Sequence, residues 1–125
     1  MDLLDVRGLS VSFRTPSAPL SVIDGLSFRI DAGTVFGLVG ESGCGKSMTA
    51  LAIMGLLPPL ASATGSIRFR ERDLLSLDAQ DLRDLRGREI SMIFQEPMTS
   101  LNPVLTVGYQ IAEVLMVHES MQKRA

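Results

Sequence analysis

The sequence predicts an α/β domain in which antiparallel strands come first and a glycine-rich loop then joins a buried strand to a helix. Three observations carry that expectation. Apolar residues recur at every second position in the first third of the chain, as a half-buried strand requires. The run Thr34–Val39 (TVFGLV) is nearly continuous apolar sequence, the pattern of a strand buried on both faces of a parallel sheet. Gly40, Gly43 and Gly45 then crowd the junction with an apolar stretch ended by Pro58 and Pro59.

Taken in order, Leu4 and Val6, then Leu9, Val11 and Phe13, mark a first strand region. RTPSAPLS (Arg14–Ser21) is rich in Pro and Ser and reads as a loop. Ser21–Ile30 alternates again, with Leu26, Phe28 and Ile30 on one face, and Asp31-Ala32-Gly33 is a turn. Lys46–Leu57 reads as a helix, Ser66–Arg70 (SIRFR) as a short strand, and DAQDLRDLRG as a helix opened by Asp78 and closed by Gly87. Glu89–Phe94 (EISMIF) returns to the buried-strand pattern. QEPMTSLNP is a loop, and Thr106 is placed to cap a last helix with Val107, Ile111, Val114 and Leu115 on one stripe.

Composition narrows the function classes. The 125 residues carry a net charge of −2, which lacks the basic footprint of a nucleic-acid binder. A single cysteine, Cys44, rules out an internal disulfide framework. The opening MDLLDVRGLS has neither a basic region nor an apolar signal core. The greasiest stretch, Ala50–Leu60, is broken by Gly55, Pro58 and Pro59 and falls short of the roughly 20 apolar residues of a membrane span. A soluble chain is expected, with much burial or a sizeable partner surface.

Gly40-Glu41-Ser42-Gly43-Cys44-Gly45-Lys46-Ser47 fits G-x-x-x-x-G-K-[ST] in full. The glycines let successive backbone N–H groups turn inward as a nest for phosphate oxygens. The helix beginning near Lys46 adds its positive end. Lys46 brings a full charge to the β- and γ-phosphates, and the Ser47 hydroxyl is a ligand for Mg²⁺. Gly40, Ser42, Gly43, Cys44, Gly45, Lys46, Ser47 and Met48 are the expected nucleotide contacts. Cys44 is read as a small filler without chemistry of its own.

LVGESGCGKSMTALAIMGLLPP, followed by ISMIFQEPMTSLNPVLTVGYQI, resembles the ATP-binding subunits of ABC transporters, and among them the dipeptide, oligopeptide and nickel importers. The second block is the more specific, since a buried strand leading into FQEPMTSLNP is characteristic of that importer branch. The resemblance implies ATP and Mg²⁺ as ligands and assigns further roles. Phe13 falls where the family places an aromatic ring that stacks on adenine. Gln95 falls where a glutamine reaches Mg²⁺ and the attacking water, so Lys46 and Gln95 are the expected catalytic residues, with Ser47 and Gln95 on the metal. Glu96 is not read as the catalytic glutamate, because Gln95 occupies the place of the metal-ligating carboxylate. Met98, Leu101 and Val104 lie in the loop 95–104 that, in the family, meets the permease subunits. His118 receives no role.

The resemblance further implies a second ATPase subunit, an indirect link to a periplasmic or extracellular substrate-binding protein, no nucleic acid, and a peripheral position on the cytoplasmic face of the membrane. No LSGGQ-like segment occurs in the 125 residues, and no apolar strand ends in Asp-Glu. The expectation is therefore an N-terminal half of an ABC-type P-loop NTPase domain. Residues 1–33 and 66–70 would form its antiparallel β subdomain, 34–57 and 89–95 part of its parallel-sheet core, and 96–125 the start of its helical subdomain. Such a piece is expected to bind nucleotide without hydrolysing it. A small phosphate-loop kinase is the weaker alternative, since Arg83, Arg86 and Arg88 precede the strand that a lid should follow.

Overall fold

The computed structural model describes residues 2–40, 45–94 and 101–118. The chain divides into two units, Met1–Asp78 and Ala79–Ala125.

The first unit is built on a four-stranded antiparallel sheet. Its strands are β1 (Asp2–Phe13), β2 (Leu20–Asp31), β3 (Ala61–Phe69) and the two-residue β4 (Arg72–Asp73), in the order β2-β1-β3-β4. The alternation read in the sequence becomes burial: Leu4, Val6, Leu9 and Val11 of β1 meet Ile23 of β2 and Ile67 and Phe69 of β3 in the core. Helix α1 (Lys46–Met54) packs on β2 and adds Ala52 and Met54 to the buried set.

β1 is bulged against both neighbours, with register shifts between Arg7 and Ser10 facing β3 and on either side of Leu9 facing β2. A bulge removes ladder bonds and leaves amides to be satisfied. Serine hydroxyls take them over: the Gly8 N–H donates to Ser27 Oγ at 2.8 Å and the Gly25 N–H to Ser10 Oγ at 2.9 Å. Opposite, Gly65 (φ +100°) lies so close to the bulge that a Cβ would stand 2.4 Å from the Gly8 carbonyl oxygen. Leu9, at the centre, is 0% exposed.

The second unit holds helices α2 (Ala79–Leu85) and α3 (Val107–His118). Gly87 adopts φ +77° beyond the end of α2, as its place in the sequence predicts. Thr106 Oγ1 accepts the Tyr109 N–H at 3.2 Å, which is the cap expected for α3. His118 is half-buried, and a Cβ on Gly87 would stand 3.0 Å from its Nε2.

Several elements differ from expectation. Residues 34–40 form no strand; Val35 and Val39 are 101% and 90% exposed, and Phe36 is held by stacking on Phe28 at 5.0 Å. Glu89–Phe94 reduces to one parallel bridge, Arg86 to Ile90, with Ile93 91% exposed. A continuous apolar run records a tendency to be buried, but a strand also needs a neighbour to complete its ladder, and among the described residues neither segment has one. α1 ends at Met54 rather than Leu57, because Gly55 takes the left-handed conformation and the Gly55 and Leu56 N–H groups bond back to Ala52 and Leu51. β3 begins at Ala61, five residues before the strand read as Ser66–Arg70, its small residues being drawn into pairing by β1.

Candidate functional site

The start of α1 is where the sequence concentrates its chemistry. Gly45 precedes the helix at φ 97°, ψ 10°, a left-handed conformation that a residue with a Cβ would adopt under strain. The space is tight as well: a Cβ would lie 3.0 Å from Ile23 Cγ1 and 3.3 Å from the Val22 carbonyl oxygen. Glycine at this position therefore lets the backbone at Gly45 lie close against β2. The first turn is anchored by Thr49, whose N–H and Oγ1 both donate to the Gly45 carbonyl, at 2.9 and 2.8 Å.

Gly45, at the N-cap, has no side chain to cap α1, and no acidic residue lies in the first turn of the helix. The leading N–H groups of a helix have no intrahelical acceptor, and the aligned peptide dipoles make this end positive. An anion supplies what such an end lacks. Lys46 adds a full charge. Its ammonium turns back and donates to the Gly40 carbonyl, so the two ends of the loop 40–46 are tied by the motif's own lysine. Ser47 follows, exposed, on the same turn. A cleft of about 360 Å³ adjoins this end, lined by Val22–Ser27 of β2, Leu38, Val39, Gly45, Lys46 and Thr49.

Of the residues expected to bind nucleotide, Gly40, Gly45, Lys46, Ser47 and Met48 gather at this end of α1. Ser42, Gly43, Cys44 and Gln95 lie outside the described residues. Phe13 is half-buried at the end of β1, paired with Leu20 and Ala61, and it does not line the cleft. Sequence reasoning missed Thr49 and the β2 segment Val22–Ser27. Thr49 could have been found from its position four residues after Gly45, within reach of that carbonyl; the β2 wall is a tertiary pairing without a local signal.

A separate cleft of about 470 Å³ lies between the start of β1 and the β3–β4 turn. Asp2, Asp5 and Glu71 there stand with Arg7, Arg68 and Arg70, and Asp5 is already paired with Arg7 at 2.7 Å. Its charges balance internally, whereas the described lining of the cleft at α1 sets Lys46 and the helix's positive end against the single carboxylate of Asp24. Among the described residues, no three His, Cys, Asp or Glu side chains are grouped to hold a metal ion, and no helix is long and apolar enough to cross a membrane.

Comparison with known proteins decides among phosphate-loop families. Residues 23–125 match the family model of the ABC transporter. The chain belongs to the ABC transporter family. It is 49% identical to the dipeptide transport ATP-binding protein DppD of Bacillus subtilis, over 98% of this chain and 37% of that protein. It is 50% identical to the oligopeptide transport ATP-binding protein OppD of Escherichia coli, over 97% of this chain and 36% of the relative. Identity to the oligopeptide transport ATP-binding protein AppD of B. subtilis is 49%, over 98% and 38%. The chain thus spans a little over a third of the length of these ABC relatives. The resemblance carried by the glycine-rich loop and FQEPMTSLNP extends over nearly all of it.

Proposed function

We propose that residues 40–47 hold the β- and γ-phosphates of ATP together with Mg²⁺, and that the chain is part of the ATPase subunit driving an ABC importer of small peptides or nickel. The observation that supports this reading is the start of α1 at Gly45-Lys46-Ser47 of the sequence motif G-x-x-x-x-G-K-S, with the Lys46 ammonium donating to the Gly40 carbonyl. An ammonium has three donors, so Lys46 can bond phosphate oxygens at the mouth of the loop. Backbone N–H groups of the first turn face the same anion. The exposed Ser47 hydroxyl suits Mg²⁺, which when bound offsets charge on the phosphate oxygens; Gln95 is the second proposed ligand and orients the attacking water. Phe13 offers a flat face for adenine. Positioning and electrostatics of this kind are what phosphoryl transfer to water requires.

The proposed partners are permease subunits, contacted through the loop 95–104, and a second ATPase subunit. A substrate-binding protein outside the membrane is linked only through the permease. The proposed location is peripheral, at the cytoplasmic face. The 125 residues hold neither an LSGGQ-like segment nor a run of four apolar residues ending in Asp-Glu, which favours nucleotide binding without turnover by these residues alone. Calorimetric titration with ATP·Mg²⁺, joined to a phosphate-release assay, tests both parts. Lys46→Ala removes a charged hydrogen-bond donor and is expected to weaken binding roughly 10- to 100-fold. Equal affinity in the two chains would defeat the reading of the loop. Turnover that Lys46→Ala abolishes would show that these residues contain a working catalytic set.

A further inference from the structure

Gln110 stands in the first turn of α3 and reaches back over the segment that leads into the helix. Its Oε1 accepts the Asn102 N–H at 2.8 Å. Its Nε2 donates to the carbonyls of Asn102 and Leu105, each at 3.0 Å, with the Thr106 carbonyl at 3.3 Å. One carboxamide thus bonds the backbone at three residues. Asn102 extends the arrangement: its Oδ1 accepts the Val104 N–H at 3.0 Å, and its carbonyl accepts the Leu105 N–H at 3.2 Å. The segment has no regular structure of its own, yet it presents apolar side chains, with Val104 85% exposed and Leu101 46% exposed. A loop that displays apolar groups to solvent gains no burial to hold its shape. Here the shape comes from polar bonds behind the display.

We infer that Gln110 is a positioning residue, whose carboxamide clamps residues 102–106 onto α3 so that Leu101 and Val104 are presented in one arrangement to the permease subunits. The inference rests on the proposed reading of the loop 95–104 as the permease-facing segment. Glutamine suits the task because acceptor and donor stand side by side at the end of a chain long enough to span a helical turn. Glutamate would lose the donor and set a negative charge against the carbonyls, and methionine would keep the volume while losing both functions.

Two measurements test it. In the chain itself, Gln110→Met is expected to speed amide exchange at Asn102 and Val104 about tenfold, with β1 amides unchanged. In proteoliposomes holding the complete transporter, the same variant is expected to lower transport-coupled ATP turnover about tenfold at an unchanged KM for ATP, since it removes presentation rather than nucleotide contacts. Val104→Glu, which alters the display and leaves the clamp intact, is expected to uncouple without changing exchange at Asn102. Unchanged exchange in Gln110→Met would overturn the clamp. Coupling intact in Gln110→Met but lost in Val104→Glu would overturn the positioning role alone. Coupling intact in Val104→Glu would overturn the permease-facing reading, and the inference with it.

Discussion

Replacing Gly65 by alanine would drive a methyl group into the place where β3 crosses the bulge of β1. The added Cβ would meet the Gly8 carbonyl oxygen at 2.4 Å, the Gly8 carbonyl carbon at 2.7 Å and the Arg7 carbonyl oxygen at 2.8 Å. All three are backbone atoms, so no flexible side chain can yield. Relief requires the two strands to part or twist where Leu9 is fully buried. The positive φ adds about 1–3 kcal/mol of conformational strain, and forcing atoms into a filled space adds about 1–3 kcal/mol more. The expected loss is about 4 kcal/mol, a large share of the stability of any domain this size. Gly33→Ala is the matched control: φ is +75°, but nothing lies within 4 Å of the new Cβ, so only the conformational part remains. Urea denaturation of both variants, with equal m values, reads the difference directly. If Gly65→Ala cost no more than Gly33→Ala, the close approach of β1 and β3 would not be what holds this sheet in register.

The same unit supports two further predictions. Leu9→Ala, at a fully buried bulge position, is expected to cost about 2–5 kcal/mol by the same denaturation measurement, the range for emptying a core leucine site. Glu71→Gly is expected to stabilise the chain by about 1 kcal/mol, seen as a higher thermal midpoint, because Arg70 and Glu71 both hold positive φ (48° and 70°) in the two-residue β3–β4 turn, a conformation that glycine adopts freely.

Legibility in the sequence followed how local each cause was. β1 and β2 were readable because alternation of Leu4, Val6, Leu9 and Val11 is itself the cause of their burial. The cap at Thr106 and the stop near Gly87 were readable because each depends on a few neighbouring atoms. For α1, Pro58 and Pro59 signal a stop at Leu57, but Gly55 carries the nearer signal and ends the helix at Met54. Ala61–Gly65 gave no strand pattern at all, since its small residues are drawn into the sheet by β1 rather than by their own preference. For Thr34–Val39 and Glu89–Phe94, apolar continuity described what the segments tend toward and not which strand would pair with them. Within the site, the glycine, lysine and serine positions followed from the chemistry of phosphate. The β2 wall beside Gly45 did not, because it is assembled by pairing across the fold.

Whether the start of α1 holds the terminal phosphates of a nucleotide is tested most directly by following backbone amide shifts of the chain during titration with ATP·Mg²⁺ and, separately, AMP. Saturable shifts gathered at Gly40, Gly45, Lys46 and Ser47 are expected with ATP·Mg²⁺, and little response to AMP, which lacks the phosphates that Lys46 would reach. Shifts gathered instead at Arg7, Arg68 and Arg70, or an equal response to AMP, would contradict that reading.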